Sequence, residues 1–170
     1  MASFGLGRTD AAAAAARSNN NQEQPVDAST LWVAAADGNL PALQGALQAL
    51  QLPVTAQDEN GYTLLQAAVS YNQAHIWQWL ATQPDFTVHA VDGEGDSALH
   101  YAGTVAAAQF LVQGGIDVTK CNADNQTALE KKQEELQEMR QDEDFEETDE
   151  EYVQLLGMVD YLSNLTSMSQ

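Results

Sequence analysis

A short sequence phrase occurs three times in the middle of this chain, and its repetition limits the possible folds more than any other feature. The phrase runs from Val54 to Leu65, from Val88 to Leu99 and, in a more divergent form, from Val118 to Leu129. A period of about 33 residues, with a turn signal followed by two short apolar helical patterns, is typical of a stacked array of helical repeats. The repetition therefore predicts a solenoid.

Each part of the phrase has a structural role. In the pattern Asp-x-x-Gly-x-Thr/Ser, the aspartate accepts hydrogen bonds from its own turn, the glycine allows a positive φ, and the hydroxyl residue caps the next helix. The glycines are Gly61 and Gly95, and Asn125 replaces them in the third phrase, since asparagine also enters the left-handed region. An apolar pattern at 64–69 and another at 76–80 follow the first cap. The phrase thus predicts a turn followed by two helices.

These residues resemble the ankyrin repeat family, whose pattern combines Asp-x-x-Gly-x-Thr-Pro-Leu-His-x-Ala-Ala, an apolar helix and Gly-Ala-Asp-Val-Asn. Segments 97–102 and 115–119 match it closely, and 63–68 matches well. The resemblance implies an all-α ankyrin repeat solenoid of about four helix-turn-helix units with short β-turn fingertips. The domain would span residues 29–165, with units at 29–62, 63–96, 97–126 and 127–165.

The third unit departs from this pattern. Ala102-Gly103-Thr104 leads directly into the apolar run 105–111, which leaves no room for a full turn between two helices. We therefore expect a shortened or distorted helix pair at this point.

The ends of the chain lie outside the predicted repeats. Residues 1–28 hold an alanine run and a polar stretch with little to bury, which predicts a disordered segment. An amphipathic transit peptide is the alternative, because two arginines occur there with few acids before Glu23, but the alanine run has no bulky apolar face. Residues 166–170 are predicted to form a disordered tail.

The charge of the chain excludes several classes of ligand. It carries 25 acidic residues against 6 lysines and arginines, a formal net charge of −19, and Lys120 is the only lysine or arginine between residues 28 and 129. Nucleic-acid affinity depends on cationic side chains that displace counterions, so DNA, RNA and anionic membranes are not expected as ligands. No apolar run approaches the about 18 residues of a membrane helix. The acidity serves either solubility alone or attraction of a basic protein segment.

Many of the acids lie together, within the predicted fourth unit. Residues 128–139 are strong helix formers that follow the Thr127 cap, and they predict its first helix. Block 141–151 carries like charges that repel one another, which predicts an open acidic insertion. Helical spacing then returns, and 153–165 is predicted to close the end of the array. The alternative, one long charged helix through residue 152, is disfavoured by the aspartates of the block.

Residues with catalytic potential are sparse, so we predict no enzyme, no catalytic residue, no cofactor and no metal. His75, His89 and His100 lack the grouping of a metal site, and no nucleophile elbow or phosphate-binding glycine loop occurs. By the resemblance, His100 satisfies backbone groups of the neighbouring turn. The single cysteine, Cys121, excludes an internal disulfide and predicts an intracellular chain, cytoplasmic or nuclear.

The resemblance implies a non-catalytic protein-binding module with a concave binding surface. We predict that a monomer presents acidic residues and aromatic anchors on this surface to a basic protein partner. A more specific hypothesis is an escort for a very basic protein such as a ribosomal protein or a histone. The alternative is a regulatory subunit that binds through an apolar helix face exposing Trp77 or Trp79, which point to different sides of their helix. The candidate partner-binding residues are Asp37, Glu59, Tyr62, Tyr71, Glu94 and Asp96.

Overall fold

The computed structural model describes residues 27–142 and 146–168. This part of the chain folds into helices that follow one another in four pairs, apart from short turns and isolated bridges. The helices are α1 (Ser29–Ala36), α2 (Leu40–Leu50), α3 (Leu64–Ser70), α4 (Ala74–Leu80), α5 (Ala98–Tyr101), α6 (Val105–Gln113), α7 (Ala128–Met139) and α8 (Glu150–Met168).

The three copies of the sequence phrase form three equivalent turns, which we call fingertips. A single antiparallel bridge closes each fingertip at its base. The residues predicted to need a positive φ have one, at +78° for Gly61, +78° for Gly95 and +61° for Asn125. These turn predictions are therefore confirmed. The fingertips comprise residues 57–63, 91–97 and 121–127.

Backbone hydrogen bonds join each fingertip to the next. The N–H of Gly93 donates to the carbonyl of Asn60 at 2.6 Å, and the N–H of Ala123 donates to the carbonyl of Glu94 at 2.8 Å. Since buried or crowded backbone groups must be paired, these bonds fix the spacing of the fingertips. The fingertips consequently form one continuous edge of the array.

The helices pack into two layers. The first helices of the pairs, α1, α3, α5 and α7, lie side by side in that order, and each second helix packs against its own first helix. Small buried residues such as Ala67, Ala68 and Ala108 allow the helices to approach closely. The core between the layers is apolar, and its largest fully buried aliphatic side chains include Leu31, Leu64, Ile76, Leu80, Leu99 and Leu111.

In each of the first three pairs, one position of the first helix links that helix to the next fingertip. Its side chain donates a hydrogen bond to the carbonyl of the residue just before the next helix cap. The bonds run from Trp32 Nε1 to Tyr62 O at 2.9 Å, from Gln66 Nε2 to Asp96 O at 2.8 Å, and from His100 Nε2 to Gln126 O at 3.1 Å. The structural role predicted for His100 is confirmed.

The third pair is shortened, as its sequence predicts. Helix α5 has only four residues, and three residues separate it from α6. The close approach is possible because Gly103 lacks a side chain, and its N–H donates to the carbonyl of Val69 at 3.2 Å. An added Cβ at Gly103 would lie 2.8 Å from the Ser70 carbonyl oxygen.

The last pair differs from its predicted bounds. Helix α7 ends at Met139 and α8 begins at Glu150, so the alternative of one long helix through residue 152 is wrong. Residues 150 and 151, assigned to the acidic insertion 141–151, belong to α8. Its first turn favours acids because of the helix dipole. Positions 143–145 of that insertion lie outside the described residues.

Helix α8 also runs past the predicted end of the domain at residue 165. It continues to Met168, so 166–168 are helical rather than part of a disordered tail. Asp27 and Ala28, placed in the predicted disordered segment 1–28, lead directly into α1, where the N–H of Leu31 donates to Ala28 O at 3.0 Å. The disorder predicted for 1–26 and for 169–170 falls outside the described residues.

Candidate functional site

The fingertips owe their shape to one carboxylate or amide at the start of each turn. Asp58 Oδ1 accepts from the N–H groups of Asn60 and Tyr62, each at 2.8 Å. Asp92 Oδ1 accepts from the N–H groups of Glu94 at 3.0 Å and Asp96 at 2.9 Å. Asn122 Oδ1 accepts from the equivalent N–H groups of the third fingertip. This local bonding is the aspartate or asparagine turn that the sequence pattern predicts.

An open cleft of about 830 Å³ lies where the first two fingertips meet the first helices. We call it the fingertip cleft. Four carboxylates and two tyrosines line it, and no lysine or arginine of the described residues does. Its lining side chains are Asp58, Glu59, Asn60, Tyr62, Asp92, Glu94 and Tyr101, with the backbone of Gly61 and Gly93.

The two tyrosines of the fingertip cleft support each other. The rings of Tyr62 and Tyr101 pack edge to face with their centroids 5.1 Å apart. Tyr101 Oη donates to Asp92 Oδ2 at 2.7 Å, so this ring is fixed by a charge-assisted bond. Burial, together with the neighbouring Tyr71, raises the pKa of Tyr62 to about 12. Burial and the Asp92 hydrogen bond also raise the pKa of Tyr101 above its usual range. Both rings remain neutral at physiological pH.

The structure brings three of the six candidate residues together. Glu59, Tyr62 and Glu94 all line the fingertip cleft, and both glutamates are exposed. Tyr71 caps the far end of α3 with 63% of its surface exposed. Asp37 is exposed after the end of α1, outside the fingertip cleft.

Asp96 does not belong to an exposed acidic rim, which corrects the sequence-based assignment. It is only 1% exposed, and its carboxylate is occupied. Asn122 Nδ2 donates to Oδ1 at 2.8 Å, and Lys131 Nζ forms an ion pair with Oδ2. Burial alone would raise the pKa of Asp96, but these bonds from Lys131 and Asn122 hold it below its usual value. Asp96 therefore joins α7 to the second fingertip.

Sequence reasoning missed Tyr101 and Lys131. Lys131 Nζ lies 5.2 Å from the centroid of the Tyr101 ring, on which it makes a cation–π contact beside its ion pair with Asp96. A signal for Tyr101 existed, because it is an aromatic residue 34 positions after Ala67 on the first-helix face. Lys131 had no local signal, since its partners lie 30 or more residues earlier.

The apolar helix face proposed as an alternative surface is largely covered. Trp77 is 3% exposed and its ring stacks on Phe110 with centroids 5.9 Å apart. Trp79 is half-buried. The two tryptophans thus face different sides, as predicted, and Trp77 is not available to a partner.

The hydrogen bonds that His100 makes within the array require the neutral form of its ring. Nδ1 accepts from the N–H of Ser97 at 3.1 Å, so the ring proton lies on Nε2, which donates to Gln126 O. Burial lowers the pKa of His100, and the positive charges of Lys131 and Lys132 lower it further. The Gln126 carbonyl and Asp96 raise the pKa, but the net shift is downward. A second ring proton would displace the Ser97 N–H bond.

We expect the free energy of unfolding to fall as the pH drops below about 6.5, the ordinary histidine pKa, because His100 then gains a proton more readily in the unfolded chain. Above that pH the His100 ring is neutral in both the folded and the unfolded chain, so its titration does not change the free energy of unfolding. Below the lowered pKa of the folded state the ring is protonated in both states, so a further drop in pH causes no further loss from His100. Urea unfolding of the parent and of His100→Gln at about pH 7.5 and about pH 5.5 measures it. A parent that loses no more stability than the variant would contradict the assignment.

Within 27–142 and 146–168, no group of three or more His, Cys, Asp or Glu side chains is placed to hold a metal ion. None of the helices in the same ranges combines the length and the apolar character needed to cross a bilayer.

Comparison with known proteins agrees with this architecture. A family model for ankyrin repeats matches three copies at residues 31–122, from within α1 into the third fingertip, and covers more than half of the 170 residues. No curated protein gave a significant match. The chain therefore belongs to the ankyrin repeat family, whose repeats generally serve as protein–protein interaction modules.

Proposed function

We propose that this protein is a non-catalytic module that binds a basic segment of a partner protein in the fingertip cleft. The observation that carries the proposal is the lining of that cleft, which holds four carboxylates and two neutral tyrosine rings, while Lys131 contacts the Tyr101 ring from outside the lining. Glu59, Tyr62 and Glu94 are the contact residues, and Asp58 and Asp92 support them.

The cleft offers a cationic side chain two kinds of contact. The carboxylates attract a lysine or arginine head group, and the tyrosine rings provide cation–π contacts and apolar area for its stem. Tyrosines are frequent binding hot spots because they add large contact area at low entropic cost. The net charge of −19 would also speed the approach of a basic partner.

Further acids lie in the last helix pair, outside the lining of the fingertip cleft. Residues 146–149, between α7 and α8, are all exposed, and three of them are acidic. Such an acidic surface suits a very basic client, so the specific form of the proposal is a monomeric escort of a ribosomal protein or a histone in the cytoplasm or nucleus. The α7–α8 pair would act as a divergent fourth repeat whose polar face closes the array.

The double substitution Glu59→Lys with Glu94→Lys should weaken binding of a Lys/Arg-rich peptide by about tenfold or more, because two attractive contacts become repulsive. Fluorescence anisotropy with a labelled basic peptide, and with the partner recovered by affinity purification and mass spectrometry, measures the change. Affinity should also fall as salt is raised.

The matched control is Glu138→Lys with Asp160→Lys. It changes the net charge equally at two exposed positions on α7 and α8. Equal losses in both double variants would mean that overall charge, not the fingertip cleft, attracts the partner. Neutralising Glu146 and Glu147 tests the escort form: it should weaken binding, whereas reduced solubility with unchanged binding would refute that form.

A further inference from the structure

The first face of the array is the side of α1 that no other described first helix covers. It exposes an apolar side chain at a position that the next repeat buries. Val33 on α1 is 58% exposed, while Ala67, at the equivalent position 34 residues later, is 1% exposed. The difference arises because α3 lies between α1 and α5, whereas, among the residues that the structure describes, α1 has a first-helix neighbour on one side only. Terminal repeats need a polar outer face to remain soluble. We therefore expect another segment to cover the apolar face of α1.

An open groove of about 870 Å³ lies on this face, and we call it the first-face groove. Its floor is mainly apolar, made by Trp32, Val33, Leu52, Pro53 and Ala56. The Trp32 ring is held in place because its Nε1 donates to Tyr62 O at 2.9 Å. The carboxylates at its rim are those of Asp27, Asp58 and Glu59.

We propose that the segment Phe4-Gly5-Leu6-Gly7-Arg8 of the same chain occupies the first-face groove. In an extended segment Phe4, Leu6 and Arg8 lie on one side, about 13 Å from first to last. Two apolar side chains followed by a cation match an apolar floor that ends at carboxylates. Arg8 is also the only charged side chain before Asp10, so the segment brings no carboxylate of its own to the rim.

The connection of this segment to the array favours it over other occupants. Asp27, Ala28 and Ser29 line the groove, so the chain that precedes them starts at its rim. Residues 9–26 separate Arg8 from Asp27, and a flexible chain of that length has a root-mean-square span of about 24 Å, enough to return to its own anchor. A tether of this kind gives an effective concentration in the millimolar range, which a free partner would rarely reach.

The docked segment would also affect the fingertip cleft. Asp58 and Glu59 line both the first-face groove and the fingertip cleft. Arg8 would therefore compete with a basic partner for the same carboxylates. This consequence rests on the proposed function, but the docking itself does not.

Disulfide trapping in the full chain tests the docking, with exposed Cys121 replaced by serine. The pair Ser3→Cys with Val33→Cys keeps Phe4, Leu6 and Arg8 and adds a small apolar thiol to the groove. It should close at least about tenfold faster than Ser3→Cys with Ala49→Cys, which places the second thiol at an exposed position on neighbouring α2.

A second arm removes the docking residues. Adding Phe4→Ser and Leu6→Ser to the groove pair should slow closure to the rate of the Ala49 control. Equal rates for the two original pairs, or no effect of the serine substitutions, would overturn the proposal. A disulfide found only between two molecules on a non-reducing gel would also overturn it and assign the groove to a second copy. No readout involves a basic partner, so failure here leaves the proposed function untouched.

Discussion

The substitution Gly61→Val is expected to destabilise the array by about 1 to 3 kcal/mol through backbone strain alone, because a β-branched residue must then adopt a φ of +78°. Contact with the next fingertip adds to this loss. A Cβ at position 61 would lie 2.9 Å from Gly93 N and 3.1 Å from Asp92 Cα, and both are backbone atoms that cannot rotate away. The bond between Gly93 and Asn60 would then be stretched or broken. Thermal and urea unfolding measure the loss.

Gly115→Val is the matched control for this experiment. Gly115 has a φ of +86°, but a Cβ there would meet nothing within 4 Å. The control therefore carries the strain without the contact between fingertips, and it should lose less stability than Gly61→Val. Melting curves of Gly61→Val that match those of the parent would refute the assigned turn. Equal losses in the two variants would show that the junction between fingertips contributes little.

The features that could be predicted from the sequence depend on neighbours in the chain. The aspartate, glycine and threonine of one fingertip lie within six residues of one another, and together they specify its turn and helix cap. The shortened third pair was predictable for the same reason, since Ala102-Gly103-Thr104 leaves no space for a longer turn. Interactions between residues close in sequence thus made most of the fold predictable.

The features that could not be predicted depend on how the repeats stack. Tyr62, Asp96 and Gln126 hold the same position in successive fingertips, yet only Asp96 is fully buried. Its burial requires Lys131, which reaches it from α7, 35 residues later. A single repeat contains no sign of that ion pair. For this reason the sequence placed Asp96 on the exposed acidic rim, whereas the structure buries it.

The same dependence on stacking explains which candidate residues came together. Glu59, Tyr62 and Glu94 lie on adjoining fingertips, so joining Gly93 to Asn60 places them around one cleft. Asp37 follows the opposite end of α1 and is carried away from it. Fingertip positions are therefore the better guide to a shared surface than positions at the far ends of the first helices.

Two replacements of His100 should differ widely in their effect on stability. His100→Leu is expected to cost about 2 to 6 kcal/mol, because it leaves the Ser97 N–H and the Gln126 carbonyl without their partners, at about 1 to 3 kcal/mol each. His100→Gln is expected to cost no more than about 1 kcal/mol, since glutamine can make both bonds. Gln66 already does so one pair earlier, where Oε1 accepts from Thr63 N–H at 2.7 Å and Nε2 donates to Asp96 O at 2.8 Å.

Urea unfolding near neutral pH measures both variants, and Gln66→His provides the reciprocal test. If the position works through hydrogen bonds between repeats, glutamine and histidine should be exchangeable at residues 66 and 100, whereas leucine should fail at either. A leucine variant as stable as the glutamine variant would mean that the position needs only a side chain of suitable volume. Trp32 donates to Tyr62 O from the equivalent position of α1, so the bond from first helix to next fingertip is expected to hold the whole array together rather than one of its junctions.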